Sequence, residues 1–148
     1  MNVARESRSS LVMVLPATSR ILIADDDSGI RHLLTTYLRR EGFQLVEARN
    51  GREALEEMRA GNVDLMLMDL MMPEVSGFDV LCERVGDPLL RQIPVIVVSA
   101  NSKPEVAAAI FGKDVRGVLA KPFDLDALMA MVTLCLEEPP HVPTAVAA

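Results

Sequence analysis

Short, almost wholly apolar runs alternate along the chain with longer stretches in which apolar side chains recur every three or four positions. The first pattern marks strands covered on both faces; the second marks helices with one face against a core. "RILIA" (20–24) predicts β1, and Ile30, Leu33, Leu34, Tyr37 and Leu38 predict α1 over 28–40. "FQLVEA" (43–48) predicts β2. "NGREALEEMRAG" predicts α2, with Asn50 as N-cap, Glu53 three residues later in a capping-box variant, and Gly61 as the stop. "DLMLM" (64–68) predicts β3, followed by α3 from 77 to about 85. "IPVIVVSA" (93–100) predicts β4. Ser102 and Glu105 then form a second capping box, with Pro104 in the first turn, opening α4 over roughly 103–111. "GVLA" (117–120) predicts β5, and Asp124 caps α5 over about 125–136.

Five consecutive βα units imply an α/β protein with an open parallel sheet and helices on both faces, because right-handed crossovers leave few other arrangements. Ligands of such sheets bind beyond the carboxyl ends of the strands, near the point where strand order reverses.

Composition narrows this reading. The 148 residues suit one domain, which buries roughly 70% of its extended surface. Half the residues are hydrophobic but Trp is absent, so Leu, Val, Ile, Met and Ala must build the core. The formal net charge of −6 argues against a generic phosphate-backbone binder, so no direct nucleic-acid partner is expected. Cys82 and Cys135 form no CxxC and are expected to be free, buried thiols.

The five-residue run Leu11–Leu15 follows Arg5 and Arg8 but is too short for a secretory signal, and no stretch approaches the ~18 residues of a membrane span. The expectation is a soluble, cytoplasmic protein with no membrane association. It divides into a mobile leader (1–18), a domain (19–138) and a disordered Pro/Ala tail (139–148), with no internal repeat.

The chemistry collects where the strands end. Asp25, Asp26 and Asp27 follow β1, Asp69 follows β3, Ser99 closes β4 and Lys121 follows β5. Asp69 lies in "LMDLMMPEVSG", an apolar run in which an isolated buried charge is costly. Convergent carboxylates repel one another, and a hard divalent cation such as Mg²⁺ offsets that repulsion with one or two carboxylates, waters and a phosphate oxygen. An ammonium from Lys121 and a hydroxyl from Ser99 add donors suited to a phosphoryl group. The set reads as a phosphoryl-transfer site with an acid as nucleophile.

In order, "ILIADDD", "MDLMMPEVSG", "VVSA" and "LAKPF" resemble the receiver domain of two-component response regulators over about residues 20–137. The resemblance implies a (βα)₅ flavodoxin-like, doubly wound sheet of order 2-1-3-4-5. It implies that Asp69 accepts a phosphoryl group from a sensor histidine kinase or a histidine phosphotransfer protein. Asp26 would bind Mg²⁺ directly, Asp25 through water, and the backbone carbonyl of Met71 would complete the protein ligands beside Asp69. Lys121 would pair with phosphoryl oxygens and carboxylates, Ser99 would hydrogen-bond the phosphoryl group, and the Lys121–Pro122 bond would be cis. Output would pass to a protein partner through the α4–β5–α5 face. With no output segment expected after Glu138, the chain reads as a stand-alone signalling receiver, catalysing at most its own phosphorylation and dephosphorylation.

Other residues have structural readings. Asp27 is expected to start a helix, Asp64 to stand at the start of a strand, Asp79 to be a solvated helix residue, and Pro73 and Gly77 to shape the loop beyond Asp69. The sequence departs from the family where Val118 replaces the aromatic residue often found three positions before the lysine, so the rotating aromatic of the family is missing. Val106, Ile110 and Phe111 make either a partner-binding patch or core. A haloacid-dehalogenase-type phosphatase needs a second acid two residues beyond its nucleophile, where this chain has Met71. An FMN carrier needs a phosphate-cradling loop and stacking aromatics that are lacking. A receiver-like interaction module acting without phosphorylation is the remaining alternative.

Overall fold

The computed structural model describes residues 19–100, 110 and 112–137. Five parallel strands, β1 (Arg20–Ala24), β2 (Gln44–Ala48), β3 (Leu65–Met68), β4 (Val95–Ser99) and β5 (Gly117–Ala120), form one sheet in the order β2-β1-β3-β4-β5. The register aligns Ala24 with Ala48 and Met68, and Ser99 with Ala120, so the strands end along a common rim.

Successive side chains of a strand point to opposite faces, and here each face meets its own apolar layer. Leu22, Met66, Met68, Val95 and Val97 pack with Ala54, Leu55 and Met58 of helix Gly51–Ala60 and Val80 and Leu81 of helix Gly77–Gly86. Ile21, Ile23, Leu65, Leu67, Ile96 and Val98 pack with Leu34 and Leu38 of helix Ser28–Arg40 and Leu128, Val132 and Cys135 of helix Leu125–Glu137. Two faces covered by aliphatic helices explain why the central strands β1, β3 and β4 are so uniformly apolar, whereas β2 at the sheet edge carries the exposed Gln44 and Glu47.

Helix ends follow local chemistry. The Asp27 carboxylate accepts from the amides of Gly29 and Ile30, the N-cap arrangement expected of it. Asn50 caps the next helix by accepting from the Glu53 amide; the Glu53 carboxylate reaches back to the amide of Arg49 rather than that of Asn50. Gly61 closes that helix at φ 91°, the left-handed region that favours glycine. Ser76 and Asp79 form a reciprocal capping box, so Asp79 is a cap and not merely a solvated helix residue.

Some boundaries shift. Phe43 lies outside β2, its amide donating to Leu38 O and its ring in the second apolar layer. Asp64 precedes β3 and its carboxylate accepts from the Arg20 amide at 2.8 Å. A short helix, Pro88–Arg91, capped by Asp87 and begun by proline, was not expected. Cys135 is buried, but Cys82 is exposed, contrary to expectation: its position falls on the outer side of helix Gly77–Gly86, between the buried Leu81 and Arg84. The expected α4 lies outside the described residues apart from Ile110, which packs against the first apolar layer. The leader and tail also lie outside them. No helix of the described residues is long and apolar enough to cross a membrane.

Candidate functional site

The rim at the carboxyl ends of β1, β3, β4 and β5 is where the sheet turns chain-distant residues into neighbours. Asp25 directly follows β1, and its amide donates to Ala48 O at the end of β2; Asp69 directly follows β3, and its amide donates to Ala24 O at the end of β1. These continuations of the ladder fix the spacing of both acids. One carboxylate oxygen from each of Asp25, Asp26 and Asp69 lies within 4.8 Å of the others. Asp25 and Asp69 are buried and Asp26 is exposed, so the cluster opens to solvent on one side.

Lys121 enters from β5. Its amide donates to Ser99 O, and its ammonium lies 2.8 Å from Asp25 Oδ2 and 3.5 Å from Asp69 Oδ2. The Lys121–Pro122 peptide is cis, as expected. Ser99 is buried at the end of β4. Met71 joins through its backbone: its amide donates to Asp69 Oδ1 at 3.3 Å while its side chain is exposed. Asp27 stays out of the carboxylate cluster, its side chain occupied by the helix cap and its amide donating to Asp25 Oδ1.

The charges are held under tension. Burial pushes the Asp69 carboxyl above the ordinary carboxylate range, aided by the nearby Asp25 charge; Lys121 and the Met71 amide pull it back only in part. Burial lowers the Lys121 ammonium, but the hydrogen bond and charge of Asp25, with those of Asp69, outweigh it and leave the group raised. Three acids close to a single lysine leave an excess of negative charge, and oxygen donors alone face one another in the cluster. That donor set fits a hard cation of the Mg²⁺ type.

One supporting residue was not legible as such. Arg31, one turn into its helix, donates from Nη1 to Asp25 O at 2.7 Å and pairs through Nε with Glu47 at 3.2 Å, pinning the acidic loop. Its only sequence signal is the spacing of one helical turn from the Asp27 cap. Gly77 was expected to shape the loop, and the reason is contact: a Cβ there would sit 2.5 Å from Asp69 O and 2.6 Å from Leu70 Cα. The loop is further tied down where the Gly51 amide donates to Val75 O.

Comparison with known proteins places this geometry. Residues 21–133 match the family model of the response regulator receiver domain. The chain is 37% identical over 112 residues to the response regulator RR06 of Streptococcus pneumoniae, covering 76% of this chain and 50% of that protein. It is 32% identical over 114 residues to the CAI-1 autoinducer sensor kinase/phosphatase CqsS of Vibrio cholerae, covering 76% of this chain and 17% of that one. The chain thus spans half or less of the length of these relatives. Among solved structures, the Thermotoga maritima response regulator TrrA, in complex with Mg²⁺–BeF, is 32% identical with a TM-score of 0.72, over 80% of this chain and all of that one. The receiver domain of Francisella response regulator 1452 superposes with a TM-score of 0.75 at 28% identity, over 81% of this chain and 98% of its own.

Proposed function

Because the chain belongs to the family of response regulator receiver domains, modules of two-component signalling that take phosphoryl groups from histidine kinases, we propose that Asp69 is its phosphoacceptor. The observation that carries this reading is the convergence of Asp69 with Asp25, Asp26 and Lys121 at one solvent-open rim. An Asp69 oxygen attacks phosphorus as the bond to the donor's imidazole nitrogen breaks, and the electron pair leaves with the imidazole. Lys121 neutralises charge on the transferred group, supported by its 3.5 Å approach to Asp69 Oδ2, and Ser99 hydrogen-bonds it. Asp25, Asp26, Asp69 and the Met71 carbonyl would hold Mg²⁺, which when bound screens the charge between carboxylate and phosphoryl oxygens.

The donor is a sensor histidine kinase or a histidine phosphotransfer protein, and the output is altered affinity for a downstream protein through the α4–β5–α5 face. The likeness to TrrA, solved with Mg²⁺–BeF, supports the cation and the acceptor chemistry. The test is intact mass after incubation with Mg²⁺ and a small phosphodonor. The wild type is expected to gain one labile phosphoryl group and Asp69→Asn none. A folded wild type that gains nothing would favour a binding module acting without phosphorylation, and stoichiometric labelling of Asp69→Asn would remove Asp69 from its role.

A further inference from the structure

At the opposite edge of the sheet, beside the amino ends of the strands, lies a groove of about 630 Å³. Met58, Val63, Leu90, Ile93 and Leu136 line it, and Leu89, 77% exposed, stands on its rim. The volume falls within the range, about 300–1,000 Å³, of recesses that enclose a ligand or side chains. Several polar side chains around it are already engaged. Asp64 accepts from the Arg20 amide, Asp87 caps the short helix, and Arg59 pairs with Glu83. An occupant therefore gains mainly by covering apolar surface.

We propose that this groove seats the chain's own residues Leu11–Leu15, the sequence LVMVL. Ser19 lines the groove, and three residues, Pro16, Ala17 and Thr18, separate it from Leu15. At about 3.5 Å per extended residue, Leu15 stays within roughly 14 Å of Ser19. A tether this short supplies an effective concentration in the millimolar range, so modest apolar contact suffices to hold the segment. The run carries five apolar side chains and no charge, matching what the groove leaves unsatisfied, whereas Arg5 and Arg8 lie far enough upstream to remain in water. Seating there leaves the acidic rim free, because the groove and the carboxylates occupy opposite ends of the strands.

The test is disulfide trapping in the full chain. A Cys82→Ser, Met13→Cys, Leu89→Cys variant is oxidised with diamide beside a Cys82→Ser, Met13→Cys, Arg40→Cys control. Arg40 is exposed and ends a helix at the same edge of the sheet. Intact mass and peptide mapping are expected to show position 13 joined within one chain to position 89 or to Cys135, also in the groove wall, at least ten times faster than to position 40. Equal rates to positions 89 and 40, or dimers joined between chains, would overturn the proposal. Independently, Met13→Asp is expected to lower the melting temperature by several degrees, and unchanged melting would count against it.

Discussion

Asp69 shows how one residue can carry a buried charge at the expense of the fold. Its carboxyl is raised, chiefly by burial, so the folded protein holds that proton more tightly than the unfolded chain does. Ionisation therefore destabilises the fold as pH rises past about 3.9, the unfolded value, and no such penalty exists below it. Without divalent cations, Asp69→Asn is expected to melt above the wild type at neutral pH, with the gap closing near pH ~3 as both side chains become neutral; thermal melts across pH check this. Lys121 works in the other sense. Its raised ammonium contributes stability that is fully present below about 10.4 and is lost as pH rises through the folded value. Lys121→Ala leaves Asp25 buried without its 2.8 Å partner, at a cost of roughly 1–3 kcal/mol. The same change removes a positive charge from the carboxylate cluster, so calorimetry is expected to show Mg²⁺ binding several-fold tighter while phosphorylation slows. The rim positions of Asp25, Asp26, Asp69, Ser99 and Lys121 were legible because each stands where an apolar strand stops. Arg31 was not, since an arginine in an amphipathic helix has the same local pattern whether it faces water or a carbonyl.

Elements place these residues, and two contacts set how rigidly they do so. Helix Gly77–Gly86 begins against the backbone of Asp69 and Leu70, and Gly77→Ala is expected to force that loop aside. Overpacking of this kind costs roughly 1–3 kcal/mol, and weakened Mg²⁺ binding alongside the lower melting temperature would show that the Asp69 loop had moved. The last turn of the same helix carries Arg84, 1% exposed, whose guanidinium donates to the carbonyls of Ile93, Lys113, Arg91 and Asp114. Burial pushes its pKa down to about 10, so it remains charged at neutral pH. It ties the helix to the segments leading into β4 and β5. Arg84→Leu keeps the apolar stem but strands those carbonyls, and denaturant unfolding is expected to show a loss of more than about 2 kcal/mol. Sequence periodicity located this helix within one residue at its end, yet gave no sign of the arginine's role. The Ser76–Asp79 box was missed because Ser/Asp is a weaker signal than the Ser/Glu form, and the short Pro88–Arg91 helix because four residues carry no period.

At the scale of the whole molecule, the carboxylate rim and the apolar groove sit at opposite ends of one parallel sheet, and the two cores lie on its opposite faces. The parallel βα order was legible because a strand covered on both faces must be apolar throughout and a surface helix must alternate. Strand order 2-1-3-4-5 followed from the family resemblance and is observed. The sequence by itself determined the element types, the aliphatic character of the core and the list of rim residues, because these depend on neighbours a few positions apart in the chain. Only the tertiary structure decided that Lys121 lies 2.8 Å from Asp25 across 96 positions, that oxygens of Asp25, Asp26 and Asp69 come within 4.8 Å of one another while Asp27 stays out, that Cys82 faces solvent, and that Arg84 is a buried tie. Such distances arise from the register of separate strands and the docking of helices upon them, and no local pattern encodes that packing.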